Sequence, residues 1–189
     1  MIRVIVGAVL IAILTGCRTA GGEPLPAPSI TSLEAPMAFS LQSSAFAPGA
    51  AIPRQNTCDG ADQSPPLVWS GTPAGAQSLA LIVEDPDAPG GTFIHWVIFN
   101  LPPAPSELPA GVSKTTDLTS GARQGRNDFR RVGYGGPCPP RGPAHHYHFL
   151  LFALDQLLNV TPGASAAELR AAMQGHVLAQ TELIGTYGR

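Results

Sequence analysis

Hydrophobic and polar positions along the chain fall into short apolar runs separated by Gly, Pro and Asp, the punctuation of a strand-rich domain. Residues 39–46 predict a first strand, and 67–69 a second behind the Pro65-Pro66 turn. Residues 78–84, rich in Leu, Ile and Val, predict a third that stops at Asp85-Pro86. Phe93–Leu101 is apolar on both alternating sets: strict period two groups His95 with Val97 and Phe99, and Ile94 with Trp96 and Ile98. A strand apolar on both faces belongs in the centre of a sheet covered on both sides. His145–Leu154 has the same character. His145, Tyr147, Phe149 and Leu151 share one face, and His146, His148, Leu150 and Phe152 the other. Val177–Tyr187 reads as extended. One helix is well signalled: Ser165-Ala-Ala-Glu168 is a capping box, Leu169, Ala172 and Met173 form an apolar stripe, and Gly175 suits the position past the end. A mainly β domain with one or two short helices follows.

The first residues have a different pattern. Arg3 precedes an apolar and small-residue run over 4–14, too short to span a bilayer at about 20 residues but suited to a signal peptide. Leu14-Thr15-Gly16-Cys17 resembles the bacterial lipobox, which implies a signal peptide over 1–16, cleavage before Cys17 and lipidation of its sulfur. Arg18 follows, with no Asp; by resemblance to lipoprotein sorting this favours the outer membrane, facing the periplasm, in a diderm source. Residues 17–36 carry Pro24, Pro26, Pro28 and Pro36 among Gly, Ala and Ser, and read as a tether. The globular domain is expected over 37–189. Of the three cysteines, Cys17 takes lipid. Cys58 and Cys138 either pair, as an exported protein allows, or stand as two separate buried thiols.

Composition narrows the function. The chain has 189 residues, 13% of them charged, and a net charge of -2. A nucleic-acid partner needs a clustered basic surface, and only residues 123–131 are locally basic, which reads as a solvated loop. No Gly-x-Ser-x-Gly elbow, His-Glu-x-x-His, Walker loop or dinucleotide fingerprint is present. No enzyme activity and no cofactor is therefore expected.

Two constellations carry candidate chemistry. Asp85-Pro-Asp87-Ala-Pro89 is a stiff loop that ends one strand, with His95 entering the next. The second is Gly133-Tyr-Gly-Gly-Pro-Cys-Pro-Pro-Arg141-Gly142, whose glycines leave room for close backbone approach and which leads into His145-His146-Tyr147. Imidazole N–H groups and a phenol donate hydrogen bonds to an oxyanion. Asp85 suits orientation of an imidazole. Asp87 suits either the ammonium of an ethanolamine head or the capping of its own turn.

Taken in order, Cys58-Asp-Gly, Ser64-Pro-Pro-Leu-x-Trp69, Asp85-Pro-Asp-Ala-Pro, His95-Trp96, Gly-Pro-Cys-Pro-Pro and His145-x-Tyr147 resemble the phosphatidylethanolamine-binding protein family. The bacterial Raf kinase inhibitor-like (YbhB/YbcL-type) branch is the nearest pattern, over roughly residues 39–189. The resemblance implies a large antiparallel β-sheet packed on a smaller one with peripheral helices. It implies a pocket of Asp85, Asp87, His95, His145 and Tyr147 for phosphate, a phosphoethanolamine-like head group or a carboxylate. His146 stands where the family often has Arg, and by strand parity it points away from the pocket. An Arg in 127–131 stands where relatives often have Gly, which alters the pocket rim. Partners implied are a small anionic ligand or phospholipid head group, and the membrane through Cys17. Other uses of the same cluster are a protein-interaction or inhibitor module, a hydrolase, or a metal site, for which no third ligand lies nearby in sequence.

Overall fold

The computed structural model describes residues 37–189; the signal peptide expected over 1–16, the lipidation expected at Cys17 and the tether expected over 17–36 lie outside the described residues. The strands are β1 Ser40–Gln42, β2 Leu67–Ser70, β3 Ser78–Asp85, β4 Phe93–Leu101, β5 Glu107–Leu108, β6 Arg123–Gln124, β7 His145–Leu154 and β8 Val177–Tyr187. They form a small sheet in the order β1-β2-β5 and a large one in the order β6-β4-β3-β7-β8, antiparallel throughout. Helix α1, Ala166–Met173, opens on the expected capping box at Ser165 and Glu168, and Gly175 beyond it has a φ of 81°.

Burial follows from the double-sided apolar pattern. Between the sheets, Leu79, Leu81 and Val83 of β3 pack with Trp96 and Ile98 of β4, Phe149 and Leu151 of β7, and Leu41 and Trp69 of the small sheet. On the other face, Ala80, Ile82, Val97, Phe99 and Phe152 form a second core closed by Leu169 and Met173 of α1. Strands β3 and β7 are thus covered on both sides, as their composition requires.

The first strand is shorter than the 39–46 run. After Gln42, the Ser43 hydroxyl accepts from the Ala45 N–H and donates to the Pro66 carbonyl, which turns the chain out of the sheet while Phe46 still reaches the core. Strands β5 and β6 have two residues each, too few to show a period.

One departure from alternation matters for the site. Val83 faces Trp96 but Glu84 faces Ile94, so β4 carries one extra residue at His95. The grouping of His95 with Val97 and Phe99 is therefore corrected. Val97 and Phe99 lie in the α1-side core, whereas the His95 ring meets Tyr147, on the opposite face, at 5.2 Å between centroids.

Candidate functional site

The bulge is stabilised by reciprocal bonds to the Gly/Pro loop. The His95 carbonyl accepts from the Gly135 N–H at 2.9 Å, and the ring Nδ1 donates to the Gly135 carbonyl at 2.7 Å. Gly135 must be glycine here, because a Cβ would lie 2.5 Å from the Phe129 ring. A Cβ on Gly136 would meet the Asn56 carbonyl, and its N–H donates instead to the Asp62 carboxylate. Cys58 and Cys138 are joined by a disulfide, which ties the next part of this loop to the segment after the 3-10 turn Arg54–Asn56.

These elements enclose a cavity of about 160 Å³. Asp85, His95 and His145 are its polar wall. Phe93, Phe129, Ala88, Pro89 and the Cys138-Pro139-Pro140 run supply the rest. The three polar residues are buried, and the rim residues Pro89, Cys138 and Pro140 are exposed. His145 Nδ1 donates to Asp85 Oδ2 at 2.8 Å, while Asp85 Oδ1 accepts the Asp87 N–H at 2.9 Å. One carboxylate thereby orients the imidazole and caps the Asp-Pro-Asp turn.

Tyr147 stands behind this wall rather than in it. It is fully buried against the edge of the His95 ring, and its hydroxyl has no hydrogen-bond partner among the described residues. Burial, and then the negative charge of Asp85, raises its pKa above the ordinary tyrosine value, so the phenol keeps its proton. His95 is shifted down, chiefly by burial and in spite of the Gly135 carbonyl and the Asp85 charge, which favours the neutral ring.

Asp87 does not line the cavity. Its carboxylate does not cap its own turn. It reaches across to β7 and accepts from the backbone N–H of His146 at 2.8 Å and from its Nδ1 at 2.7 Å. Those two bonds lower its pKa. His146 is exposed, on the face away from the cavity.

Sequence reasoning did not single out Phe93 or Phe129. Phe93 was legible only as one more apolar strand residue, and Phe129 sits in a loop without period. Phe129 packs edge-on against both Phe93 and His95, and Arg131 lies over its ring at 5.3 Å, which places an arginine beside one cavity wall. Among the described residues no three His, Cys, Asp or Glu side chains gather as a metal site. A larger hollow of about 320 Å³ lies at the small sheet, lined by Trp69, Leu101, Leu108 and Val112 with neighbouring loops; its one ionisable side chain is the exposed Glu107. A third hollow, of about 460 Å³ and lined by Arg126, Asn127, Asp128, Arg130 and Ser165, is larger still. Volume would choose either of these, but the convergence of buried polar groups chooses the smaller cavity.

Residues 42–188 match the family described as phosphatidylethanolamine-binding protein. The UPF0098 protein of Pyrococcus horikoshii is 51% identical over 150 residues, covering 78% of this chain and 75% of that one. LppC of Mycobacterium tuberculosis, named as a candidate lipoprotein, is 38% identical over 192 residues, covering 96% of this chain and 92% of its own. Among solved structures, E. coli YbcL, described as a member of the mammalian PEBP family, aligns with a TM-score of 0.75 at 35% identity, over 80% of this chain and 98% of YbcL. With the match running through both sheets and every wall of the cavity, the chain belongs to the phosphatidylethanolamine-binding protein family.

Proposed function

We propose that this protein binds a small oxyanion, a phosphate, phosphomonoester or carboxylate group, in the Asp85–His95–His145 cavity, without turning it over, at the surface of the cell envelope. The observation that carries this reading is the Asp85–His145 pair. Its 2.8 Å bond fixes the imidazole with Nδ1 occupied, so that Nε2 is the nitrogen left for a ligand. An otherwise apolar wall around it strengthens any charge-assisted bond it makes. The Asp85 carboxylate is itself engaged by the His145 and Asp87 N–H groups, which offsets the repulsion that a bare carboxylate would exert on an anion.

The envelope location rests on two supports. The Leu14-Thr15-Gly16-Cys17 motif has the form of a lipidation site. The match to LppC covers 96% of the chain, more than the domain expected over 37–189 accounts for, so it extends into the N-terminal segment. Acylation at Cys17 would anchor the protein to a membrane, with residues 17–36 as a spacer.

The test is a titration with inorganic phosphate and with phosphoethanolamine, followed by NMR. Shifts are expected to cluster on His95, His145 and Tyr147 and to vanish in His145→Ala. Equal affinity in His145→Ala overturns the site, and turnover of a phosphoester by the protein overturns the binding-only reading.

A further inference from the structure

The hydrogen-bonding capacity of the wall is uneven. His145 has its Nδ1 on Asp85, so its Nε2 donates when the ring is charged. Tyr147 has a free O–H behind the wall. His95 is different. Its Nδ1 is committed as a donor to the Gly135 carbonyl, and in the neutral ring that leaves Nε2 with a lone pair and no hydrogen. An oxyanion placed against that lone pair meets an acceptor with an acceptor. The contact becomes favourable only when a proton sits between the two atoms.

We propose, on the strength of the binding role above, that oxyanion capture in this cavity is proton-linked: each ligand brings or takes up one proton, shared with His95 Nε2. A phosphomonoester can bring it as its own P–O–H. The phosphodiester of an intact phospholipid has no such hydrogen and must place the proton on His95. The site therefore discriminates a detached head group or free phosphate from a lipid.

The surroundings of His95 weigh against charging it. Phe93 of β4, Phe129 of the following loop and Tyr147 of β7 all pack on the ring and keep water away. From β3, Asp85 is already bonded to His145. Asp87 is engaged with His146, and Asp128 with the Ile94 N–H. Arg131, over the outer Phe129 ring, opposes a second positive charge nearby. Burial lowers the His95 pKa in the same sense.

The experiment is calorimetry of the full chain with phosphoethanolamine and with its glycerol diester, from about pH 5.5 to about pH 8, in buffers of different ionisation enthalpy. A phosphomonoester loses its second proton near pH 6. Above that, monoester affinity should fall about tenfold per pH unit, with close to one proton taken up per ligand bound. The diester should bind at least about tenfold more weakly at neutral pH. His95→Asn keeps a donor for the Gly135 carbonyl and removes the lone pair, so the ratio of the two affinities should move towards one. Tyr147→Phe removes a hydroxyl that stands behind the wall and carries no part of the shared proton, and should leave the ratio unchanged. Monoester affinity independent of pH, or a diester bound as tightly, overturns proton linkage while leaving the binding site intact. If neither ester binds at any pH, the binding role fails and the inference fails with it.

Discussion

Two histidine–carboxylate pairs lie side by side at one end of the large sheet. His145 and His146 are consecutive on β7, and Asp85 and Asp87 are two apart at the end of β3. The bonds are nearly equal, 2.8 Å for His145–Asp85 and 2.7 Å for His146–Asp87. Their surroundings are not. The side chains of the first pair are 11% and 5% exposed, and those of the second 56% and 44%. Strand alternation alone separates them: one imidazole faces the cavity between the β3–β4 loop and the Gly/Pro loop, and the next faces solvent. In the buried pair each partner has given up water and depends on the other. In the exposed pair water competes for both groups, and the contact does little beyond pinning the loop to the strand.

Removing Asp85 should break this contrast most severely. Asp85→Ala strips the cavity imidazole of its acceptor and the Asp87 N–H of its cap. Breaking a buried pair costs about 3 kcal/mol, which for a domain of this size lowers Tm by roughly 10 °C. Thermal unfolding checks the cost, and phosphate titration should show binding lost below the melting range. An Asp85→Ala protein that melts like the wild type would remove the distinction between the two pairs.

The contrast also marks what could be read before the fold was known. Strand β7 and its two faces were legible because period two is regular there, and the capping box at Ser165 announced α1. The convergence of Asp85 and His145 came from the family pattern, since nothing local ties residues 60 positions apart. His95 was placed on the wrong face by alternation, because a single inserted residue reverses parity and leaves no mark in an apolar run. Only the later bond to Gly135, 40 residues away, reveals why the bulge is stable. The partner of Asp87 was hidden for the same reason. A carboxylate in a turn has several uses, and the strand that ends up beside it decides among them. Tyr147 lies on the same face of β7 as His145, as alternation predicts, but its depth behind His95 depends on ring packing that no pattern encodes.

His95 adds a third histidine to the comparison, one whose ring bonds a backbone carbonyl instead of a carboxylate. Its pKa in the fold lies below the ordinary value of 6.5, chiefly because it is buried. The unfolded chain then binds more protons at this residue as pH falls through about 6.5, so stability present at higher pH is lost on acidification. The slope due to one group cannot exceed about 1.4 kcal/mol per pH unit. Denaturant unfolding between about pH 7.5 and about pH 5 should show a steeper decline in the wild type than in His95→Phe. Parallel curves would mean that the ring takes up its proton as readily in the fold as in the unfolded chain, against what its burial implies.

The smallest effect is expected where the sequence pattern is most prominent. Asp87→Ala deletes the second acid of the Asp-Pro-Asp motif, the one that accepts two bonds from His146 outside the cavity. Those groups are solvated, so the freed His146 N–H groups turn to water. Phosphate affinity should stay within about twofold of the wild type, and Tm should drop by far less than in Asp85→Ala. The pKa of Asp87 is lowered by the same bonds, so whatever it adds to stability is present above the ordinary carboxylate range and disappears as pH falls through it. A small Tm difference between wild type and Asp87→Ala at neutral pH should therefore shrink on acidification. A large loss of phosphate affinity in Asp87→Ala would instead put this carboxylate among the ligand groups and make the exposed pair, like the buried one, part of the site.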